Sequence, residues 1–133
     1  MSPIFSKLNL TTQKTIFVLD APESFRAELS GLADIQIVDN LKSDSKLTFA
    51  IIFVSQKTQI DQIAPILAKK AQGDVIVWFA YPKGTSKKYQ CDFNRDNGWD
   101  SLKGFGFDTV RQVAIDEDWS ALRFRRNEFI GSR

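Results

Sequence analysis

Residues 74–80, DVIVWFA, decide the fold, because six apolar residues follow Asp74 without a polar position that could face water. Two earlier segments have nearly the same character, TIFVL at residues 15–19 and LTFAIIFV at residues 47–54. Continuous apolar runs of this length are typical of strands in a parallel sheet whose two faces are both covered by helices. These three segments therefore predict the central strands of such a sheet.

Segments with helical spacing lie between the predicted strands. Residues 21–32 place Phe25 and Leu29 on one face of a helix. A second apolar stripe covers residues 60–71, where Pro65 should kink or break the helix. Because buried strands alternate with helices, the sequence indicates βαβ units and a parallel sheet that is covered on both sides.

The second half of the chain predicts a change in strand direction. Residues 94–106 indicate a helix that Asn94 caps. The strands expected at 108–115 and 121–126 are joined by DEDWS, a link too short for a parallel crossover, so they should form an antiparallel hairpin. The alternating segment IQIV, residues 35–38, suits a strand at the edge of the sheet.

The predicted fold class is α/β, a three-layer, mainly parallel open sheet of five or six strands, Rossmann-like and doubly wound, that ends in an antiparallel hairpin. A chain of 133 residues has the common size of one domain, so residues 1–133 are predicted to form a single α/β domain. Residues 1–13 would form an N-terminal arm whose helix has Ser2 as its N-cap and Pro3 as its first residue. Residues 129–133 are predicted to be a flexible tail.

The charge balance argues against nucleic acid and membrane surfaces as partners. The 18 basic and 16 acidic residues give a net charge of +2 and are spread over most of the chain, so they create no large field. The local excess comes at the end, in Arg123, Arg125, Arg126 and Arg133, where a solvated strand and tail is the simpler interpretation. The sequence has neither a signal-peptide pattern nor an apolar run long enough for a membrane span, and we expect a cytoplasmic protein.

Polar and charged residues follow the predicted strands at their carboxyl ends, the edge where open parallel sheets bind ligands. In YPKGTSKK, residues 81–88, a lysine beside glycine and hydroxyl residues supplies the charge and the donors that suit an anion. The phosphate-loop pattern G-x-x-x-x-G-K-[ST] is absent, and a solvated turn is the alternative. We expect Trp119, in a polar turn, to pack against Tyr81 or Pro82. The candidate ligand-binding residues at this edge are Asp20, Tyr81, Lys83, Ser86, Arg95, Asp96, Asp116 and Trp119.

The first strand-to-helix turn argues against a nucleotide cofactor. A dinucleotide or S-adenosylmethionine domain normally has glycines in this turn, which let the backbone approach the cofactor. The corresponding segment here, LDAPESF at residues 19–25, contains no glycine. FMN has no better support, and we therefore expect no bound cofactor.

The residues available for catalysis are few, and none is predicted to be catalytic. The chain has no histidine, so a serine or cysteine nucleophile would need a lysine or a carboxylate as its base. The nucleophile-elbow pattern G-x-S-x-G is also absent. Cys91 is expected to be an inert thiol and the acidic run 116–118 a solvated hairpin turn, so no metal site is predicted. Whether the protein is an enzyme stays open, with the balance against it.

Several separated motifs resemble those of a bacterial family of short, single-domain proteins of unknown function. The motifs are LDAPESF at 19–25, WFAYPKGTSKK at 78–88, DFNRDNGW at 92–99 and VAIDEDWSALRFRR at 113–126. The family pattern has a strand ending in Y-P-K, an R-D before a helix with Trp, and a D-x-x-W-S-x-L-R-F hairpin. The resemblance extends over residues 4–128. It implies no substrate, cofactor or catalytic residue, because the family consists of conserved hypothetical proteins.

Two functional hypotheses follow from the predicted edge. In the first, the domain binds a small anionic ligand that Lys83 and Arg95 contact, and Tyr81 and Trp119 flank the pocket. In the second, it is a non-catalytic protein-interaction or homodimer-forming module, in which Lys83, Arg95 and Asp116 form a structural ion-pair network. Nucleic-acid binding through the terminal arginines is a third alternative. We favour the first, because open α/β sheets so often bind ligands at this edge.

Overall fold

The computed structural model describes residues 3–131, in which a single sheet of six strands runs through the molecule. The strands are β1 (Thr15–Leu19), β2 (Gln36–Val38), β3 (Phe49–Phe53), β4 (Ile76–Pro82), β5 (Phe107–Ala114) and β6 (Trp119–Arg126). Their order across the sheet is β2-β1-β3-β4-β6-β5. The strands β1 to β4 are parallel, and β6 lies between β4 and β5, antiparallel to both.

Helices cover both faces of the sheet. On one face lie α1 (Pro3–Lys7) and α2 (Glu23–Leu29), and on the other lie α3 (Lys57–Lys70) and α4 (Asp100–Gly104). A short 3-10 helix, Asn127–Phe129, follows β6. The predicted fold class is therefore confirmed, including the three layers, the mainly parallel sheet and the terminal antiparallel hairpin.

The central strands serve two separate apolar cores. Ile52 and Phe79 are fully buried in the core beneath α3 and α4, while their chain neighbours Ile51 and Trp78 are fully buried beneath α1 and α2. Successive side chains of a strand point to opposite faces of the sheet, so a strand covered on both sides needs an apolar residue at every position. This is the physical reason why VIVWFA is apolar throughout.

The predicted break at Pro65 does not occur. Helix α3 continues from Lys57 to Lys70 with Pro65 inside it, on the exposed side of the helix. Ile60, Ala64 and Leu67 are fully buried on either side of this position. Packing of both halves of the helix against the sheet offsets the hydrogen bond that proline cannot make.

The helix predicted to begin at Asn94 starts later, and Asn94 is not its cap. Residues 94–97 form a turn in which Asn94 Oδ1 accepts the N–H of Asp96 at 2.8 Å and the N–H of Asn94 donates to Asn97 Oδ1 at 3.1 Å. Gly98 follows with φ of +93°, a left-handed conformation that a helix cannot contain. Local side-chain hydrogen bonds therefore compete successfully with the helix, which begins at Asp100.

Two of the smaller predictions concern the ends of the chain. Ser2, the expected N-cap, and the last two residues of the expected tail lie outside the described residues. Helix α1 buries Ile4 and Phe5, and the indole Nε1 of Trp78 donates to the backbone oxygen of Leu8 at 2.8 Å. The proposed limits of the arm and of the domain stay predictions.

Within residues 3–131 no helix is long and apolar enough to cross a membrane.

Candidate functional site

The eight predicted ligand-binding residues do not meet in one place. The ring of Tyr81 packs in the core beneath α3 and α4, with its centroid 5.7 Å from that of Trp99. Trp119 lies on the opposite face of the sheet, 5.2 Å from Phe53. Trp119 is the direct cross-strand neighbour of Pro82, but the alternative contact with Tyr81 does not form. A pocket flanked by Tyr81 and Trp119 is therefore ruled out by the alternation of side chains along the strands.

Residues 83–89, which include the predicted site residues Lys83 and Ser86, are hydrogen-bonded to the turn between β5 and β6. We call this segment the fastened loop. The N–H of Lys83 donates to the backbone oxygen of Asp118 at 2.8 Å. The hydroxyl of Ser86 donates to Asp118 Oδ1 at 2.8 Å and accepts the N–H of Tyr89 at 3.1 Å. The hydroxyl that was expected to contact a ligand is thus occupied by the protein itself.

Asp116 closes the turn to which the fastened loop is attached. Its Oδ1 accepts the backbone N–H groups of Asp118 and Trp119, both at 2.8 Å. Its Oδ2 accepts the hydroxyl of Ser24 at 3.4 Å, which ties the turn to α2. Asp116 therefore has a structural task, as aspartate commonly does in tight turns.

The ion-pair network of the second hypothesis is not present. Among residues 3–131, ion pairs join Lys57 to Asp61, Arg95 to Asp96 and Arg125 to Asp74. Neither Lys83 nor Asp116 takes part in them.

Arg95 and Asp96 lie beside β5, across the sheet from Asp20. The guanidinium of Arg95 donates to Gln112 Oε1 at 3.0 Å, and the amide of Gln112 donates to the hydroxyl of Tyr81, also at 3.0 Å. Burial raises the pKa of Tyr81, so this phenol stays neutral. Gln112 was missed from the sequence because it sits on a strand, with no local pattern to mark it.

Neither a reactive thiol nor a metal cluster is found in the described part of the chain. Burial raises the pKa of Cys91, which opposes formation of the nucleophilic thiolate. Within residues 3–131 no three side chains of aspartate, glutamate or cysteine are grouped so that they could hold a metal ion.

A groove that the sequence did not predict lies at the carboxyl ends of β1 and β2. This β1–β2 groove has a volume of about 370 Å³, a size within the range of small-molecule sites. It is lined by Val18, Asp20, Ala21, Arg26, Leu29, Ile37 and Asp39. Asp39 was overlooked because it opens a polar loop, although it is the first residue after β2. Asp39 lies 19 residues after Asp20, the separation at which nucleotide-binding sheets often have an acidic residue. This spacing could have identified Asp39 from the sequence.

The β1–β2 groove combines an apolar wall with exposed charges. Ile37, whose side chain is 40% exposed, supplies the apolar wall. Asp20 and Asp39 are exposed carboxylates at the ends of neighbouring strands, and Arg26 contributes a guanidinium from α2. Asp20 has φ of +57°, the left-handed conformation that glycine usually supplies and that aspartate tolerates. The turn after β1 therefore has this geometry without a glycine.

The fold is shared with solved structures that include several methyltransferases. A methyltransferase dependent on S-adenosylmethionine from Aquifex aeolicus aligns over 92% of this chain and 87% of its own, with a TM-score of 0.57 and 8% identity. The magnesium protoporphyrin IX methyltransferase of Synechocystis PCC 6803, solved with bound S-adenosylmethionine, aligns over 92% and 74%, with a TM-score of 0.56 and 12% identity. A protein of the NAD-binding Rossmann superfamily from Streptococcus agalactiae aligns over 99% and 71%, with a TM-score of 0.56 and 12% identity.

Comparison with protein-family models gives no match, and neither does comparison with curated proteins. The resemblance to the bacterial family with the Y-P-K motif therefore stays a prediction. At identities of 8% to 12% the structural likeness establishes the fold.

Both functional hypotheses drawn from the sequence are corrected by this fold. Many solved structures that share this fold are methyltransferases, and this finding overturns the interpretation as an uncharacterised domain with an anion site or as a non-catalytic interaction module. The hydrogen bonds of Ser86 and Asp116 also argue against the anion site, because both side chains are bonded to other groups of the protein. The error arose from treating a dense set of polar residues as a set of available ones.

Proposed function

We propose that this chain is a methyltransferase-type domain that binds a nucleoside of the S-adenosylmethionine kind in the β1–β2 groove. The observation that carries the proposal is the groove itself, with two carboxylates, one guanidinium and an apolar wall at the carboxyl ends of adjacent parallel strands. Open α/β sheets bind ligands at this edge. The proposal departs from our expectation of no cofactor and is supported by the fold of the solved methyltransferases.

Asp39 is placed to recognise a ribose. In nucleotide-binding sheets an acidic residue about 20 positions after the first strand-to-helix turn accepts hydrogen bonds from ribose hydroxyls. Asp39 follows β2 and lines the groove together with Ile37, against which a planar base can pack. Its Oδ1 accepts one hydrogen bond from the amide of Asn40 at 3.2 Å, which leaves further acceptor capacity for a diol.

The charges of the groove favour this ligand over a dinucleotide. S-adenosylmethionine carries a sulfonium, an ammonium and a carboxylate, which complement Asp20, Asp39 and Arg26 in sign. A pyrophosphate would instead face two carboxylates. Pro22, which precedes α2, has no N–H to offer a phosphate.

When bound, the ligand would supply a methyl group on a sulfonium sulfur, ready for transfer to a nucleophile. The residues of this chain would bind the ribose, the carboxylate and the cationic part of the ligand. Asp39 would accept the ribose hydroxyls, Arg26 would pair with the carboxylate, and Asp20 would face the cationic part.

The proposal is tested by isothermal titration calorimetry of the chain with S-adenosylmethionine and, separately, with NAD. We expect saturable binding of S-adenosylmethionine alone. In Asp39→Asn the affinity should fall about tenfold or more, because a charge-assisted hydrogen bond is lost. The control Asp34→Asn makes the same change at an exposed residue before β2, at the opposite edge of the sheet, and should bind like the unmodified chain.

Three results would overturn the proposal. The first is the absence of any heat with S-adenosylmethionine from folded protein. The second is tighter binding of NAD, which would contradict the charge argument. The third is equal loss of affinity in Asp39→Asn and Asp34→Asn, which would place the ligand elsewhere.

A further inference from the structure

A second groove adjoins the β1–β2 groove and has aromatic walls. This aromatic groove has a volume of about 420 Å³ and lies at the carboxyl ends of β1 and β3, beneath residues 88–90. Its lining includes Phe53, Tyr89 and Trp119. Asp20 lines both grooves, so a ligand in one would lie next to a ligand in the other.

The aromatic residues of this groove pack against one another. The ring of Trp119 lies 5.2 Å from Phe53 and 5.0 Å from Tyr89, centroid to centroid, in tilted or edge-on contacts. The ammonium of Lys88 lies 5.5 Å from the centroid of Tyr89. Trp119 is only 5% exposed, so its ring is held in place by packing. Trp119 is nearly covered, whereas Tyr89 is half-buried and leaves aromatic surface against which a planar ring can pack.

A hydrogen-bond donor in this wall has no partner. The indole Nε1 of Trp119 is buried and makes no hydrogen bond within the described residues, 3–131. The other two tryptophans behave differently, because Trp78 Nε1 donates to Leu8 at 2.8 Å and Trp99 Nε1 donates to Asn94 at 3.0 Å. A buried donor without a partner is costly and calls for an explanation, such as a ligand.

Gln59 adds a second donor to the aromatic groove. Its Oε1 accepts the N–H groups of Ser55 at 2.8 Å and of Gln56 at 2.9 Å, which fixes the orientation of the amide. The amide nitrogen of Gln59, on the other side of the group, then remains for a ligand acceptor. Asp20, at the boundary of the two grooves, is an exposed carboxylate that can accept a hydrogen bond. The polar groups of the aromatic groove thus include two donors and a carboxylate.

We infer that the aromatic groove binds a planar heterocycle with a ring carbonyl and a ring N–H, the pattern of a cyclic amide, as the second ligand beside the nucleoside of the proposed function, on which this inference rests. The ring lies against Trp119 and Tyr89. The carbonyl accepts from Trp119 Nε1, with the amide of Gln59 as a second donor, and the ring N–H donates to Asp20. Entry requires residues 88–90 to move outward, and two of these three residues are exposed.

The test uses a matched pair of probes with the full chain labelled with nitrogen-15. 2-Pyridone is a planar cyclic amide, and 2-piperidone has the same carbonyl and N–H on a saturated ring. The chain has 3 tryptophans, so its spectrum contains few indole N–H signals, and Trp119→Phe identifies the one from Trp119 by removing it. We expect 2-pyridone to shift the Trp119 signal downfield in a saturable way and to leave the signals of Trp78 and Trp99 in place.

The aromatic contribution is tested by Tyr89→Leu, with Phe105→Leu as its control. Tyr89→Leu should weaken 2-pyridone about fivefold, because the ring contact is lost while apolar bulk remains. Phe105 is an exposed aromatic outside the groove, 45% accessible, and its replacement should change nothing. 2-Piperidone should bind at least about fivefold more weakly than 2-pyridone for the same reason.

Failure of this inference can be told apart from failure of the proposed function. A Trp119 signal that does not respond to 2-pyridone, or that responds equally to 2-piperidone, overturns the inference even if S-adenosylmethionine binds. An unchanged 2-pyridone affinity in Tyr89→Leu overturns it as well. A selective response to 2-pyridone without any binding of S-adenosylmethionine supports the aromatic groove as a site and overturns the nucleoside proposal.

Discussion

The fastened loop and the β1–β2 groove lie at the same edge of the sheet but use their polar residues in opposite ways. In the fastened loop, residues 83–89, the hydroxyl of Ser86 is hydrogen-bonded to Asp118 and to the N–H of Tyr89. In the β1–β2 groove, Asp20 and Asp39 are exposed and face a space large enough for a ligand. The hydroxyl of Ser86 is therefore used within the protein, whereas the carboxylates of the β1–β2 groove are exposed.

The contrast teaches that a cluster of charged and turn-forming residues marks a loop and does not by itself mark a site. Loops must satisfy their own backbone groups, and serine and aspartate do this through local hydrogen bonds. Substitutions in the two regions should therefore separate loss of stability from loss of binding.

The largest effect on stability is expected at Asp116. Asp116→Ala removes the acceptor of two backbone N–H groups and should lower the free energy of unfolding by about 2 kcal/mol, at about 1 kcal/mol for each hydrogen bond. Denaturant titration followed by circular dichroism measures this change. The control Glu117→Ala, at the exposed next residue, should stay within about 0.5 kcal/mol. Equal effects of the two variants would show that the turn is not held by Asp116.

A substitution in the β1–β2 groove should affect ligand binding and leave stability unchanged. Asp39→Asn, which is expected to lose affinity for S-adenosylmethionine, should leave the free energy of unfolding within about 0.5 kcal/mol, because Asp39 is exposed. A loss of stability comparable to that of Asp116→Ala would show that Asp39 is structural as well. It would contradict the proposed difference between the β1–β2 groove and the fastened loop.

A smaller effect is expected at Ser86. Ser86→Ala removes the hydroxyl that joins the fastened loop to Asp118 and should lower the free energy of unfolding by about 1 kcal/mol. Calorimetric titration with S-adenosylmethionine should give the same affinity as the unmodified chain. Thr85→Ala, the loss of an exposed hydroxyl one residue earlier, is the control and should leave stability unchanged. Weaker binding of S-adenosylmethionine by Ser86→Ala, with unchanged binding by Thr85→Ala, would show that the fastened loop contributes to the ligand site.

The smallest effect concerns an ion pair outside both regions. The guanidinium of Arg125 donates to Asp74 at 2.7 Å and 2.5 Å and holds the pKa of Asp74 below its usual value. A carboxyl group with a lowered folded-state pKa stabilises the protein above its unfolded pKa, and this contribution is lost as the pH falls through the folded value. Both partners are about a third exposed, so solvent screening keeps this contribution small.

Arg125→Gln tests this pair by urea titrations at neutral pH and at successively lower pH. The difference in unfolding free energy between the variant and the unmodified chain should be present at neutral pH and shrink once the pH falls below the ordinary aspartate value of about 3.9. A difference that is independent of pH would assign the effect of Arg125 to packing.

The sequence predicted the site less well than the fold, for reasons visible in particular residues. Asp20 was predicted as a ligand-binding residue at this edge, and the structure places it in the lining of both grooves. Asp39 was missed, since a three-residue strand gives little periodicity to locate its end. Tyr81 and Trp119 were placed together although they lie on opposite faces of the sheet. The first strand-to-helix turn was rejected for lack of glycine, whereas Asp20 itself has the left-handed conformation.

The sequence alone determined the class of fold, because burial on both faces of a parallel sheet requires apolar residues at consecutive positions, and this requirement is local to each strand. It also determined the antiparallel hairpin, because a short link cannot cross over. Only the tertiary structure decided that β6 lies between β4 and β5, that Trp119 Nε1 makes no hydrogen bond within residues 3–131, and that the hydroxyl of Ser86 is bonded to Asp118. These facts depend on contacts between residues far apart in the chain, such as Ser86 with Asp118 and Trp119 with Phe53, which no local pattern records.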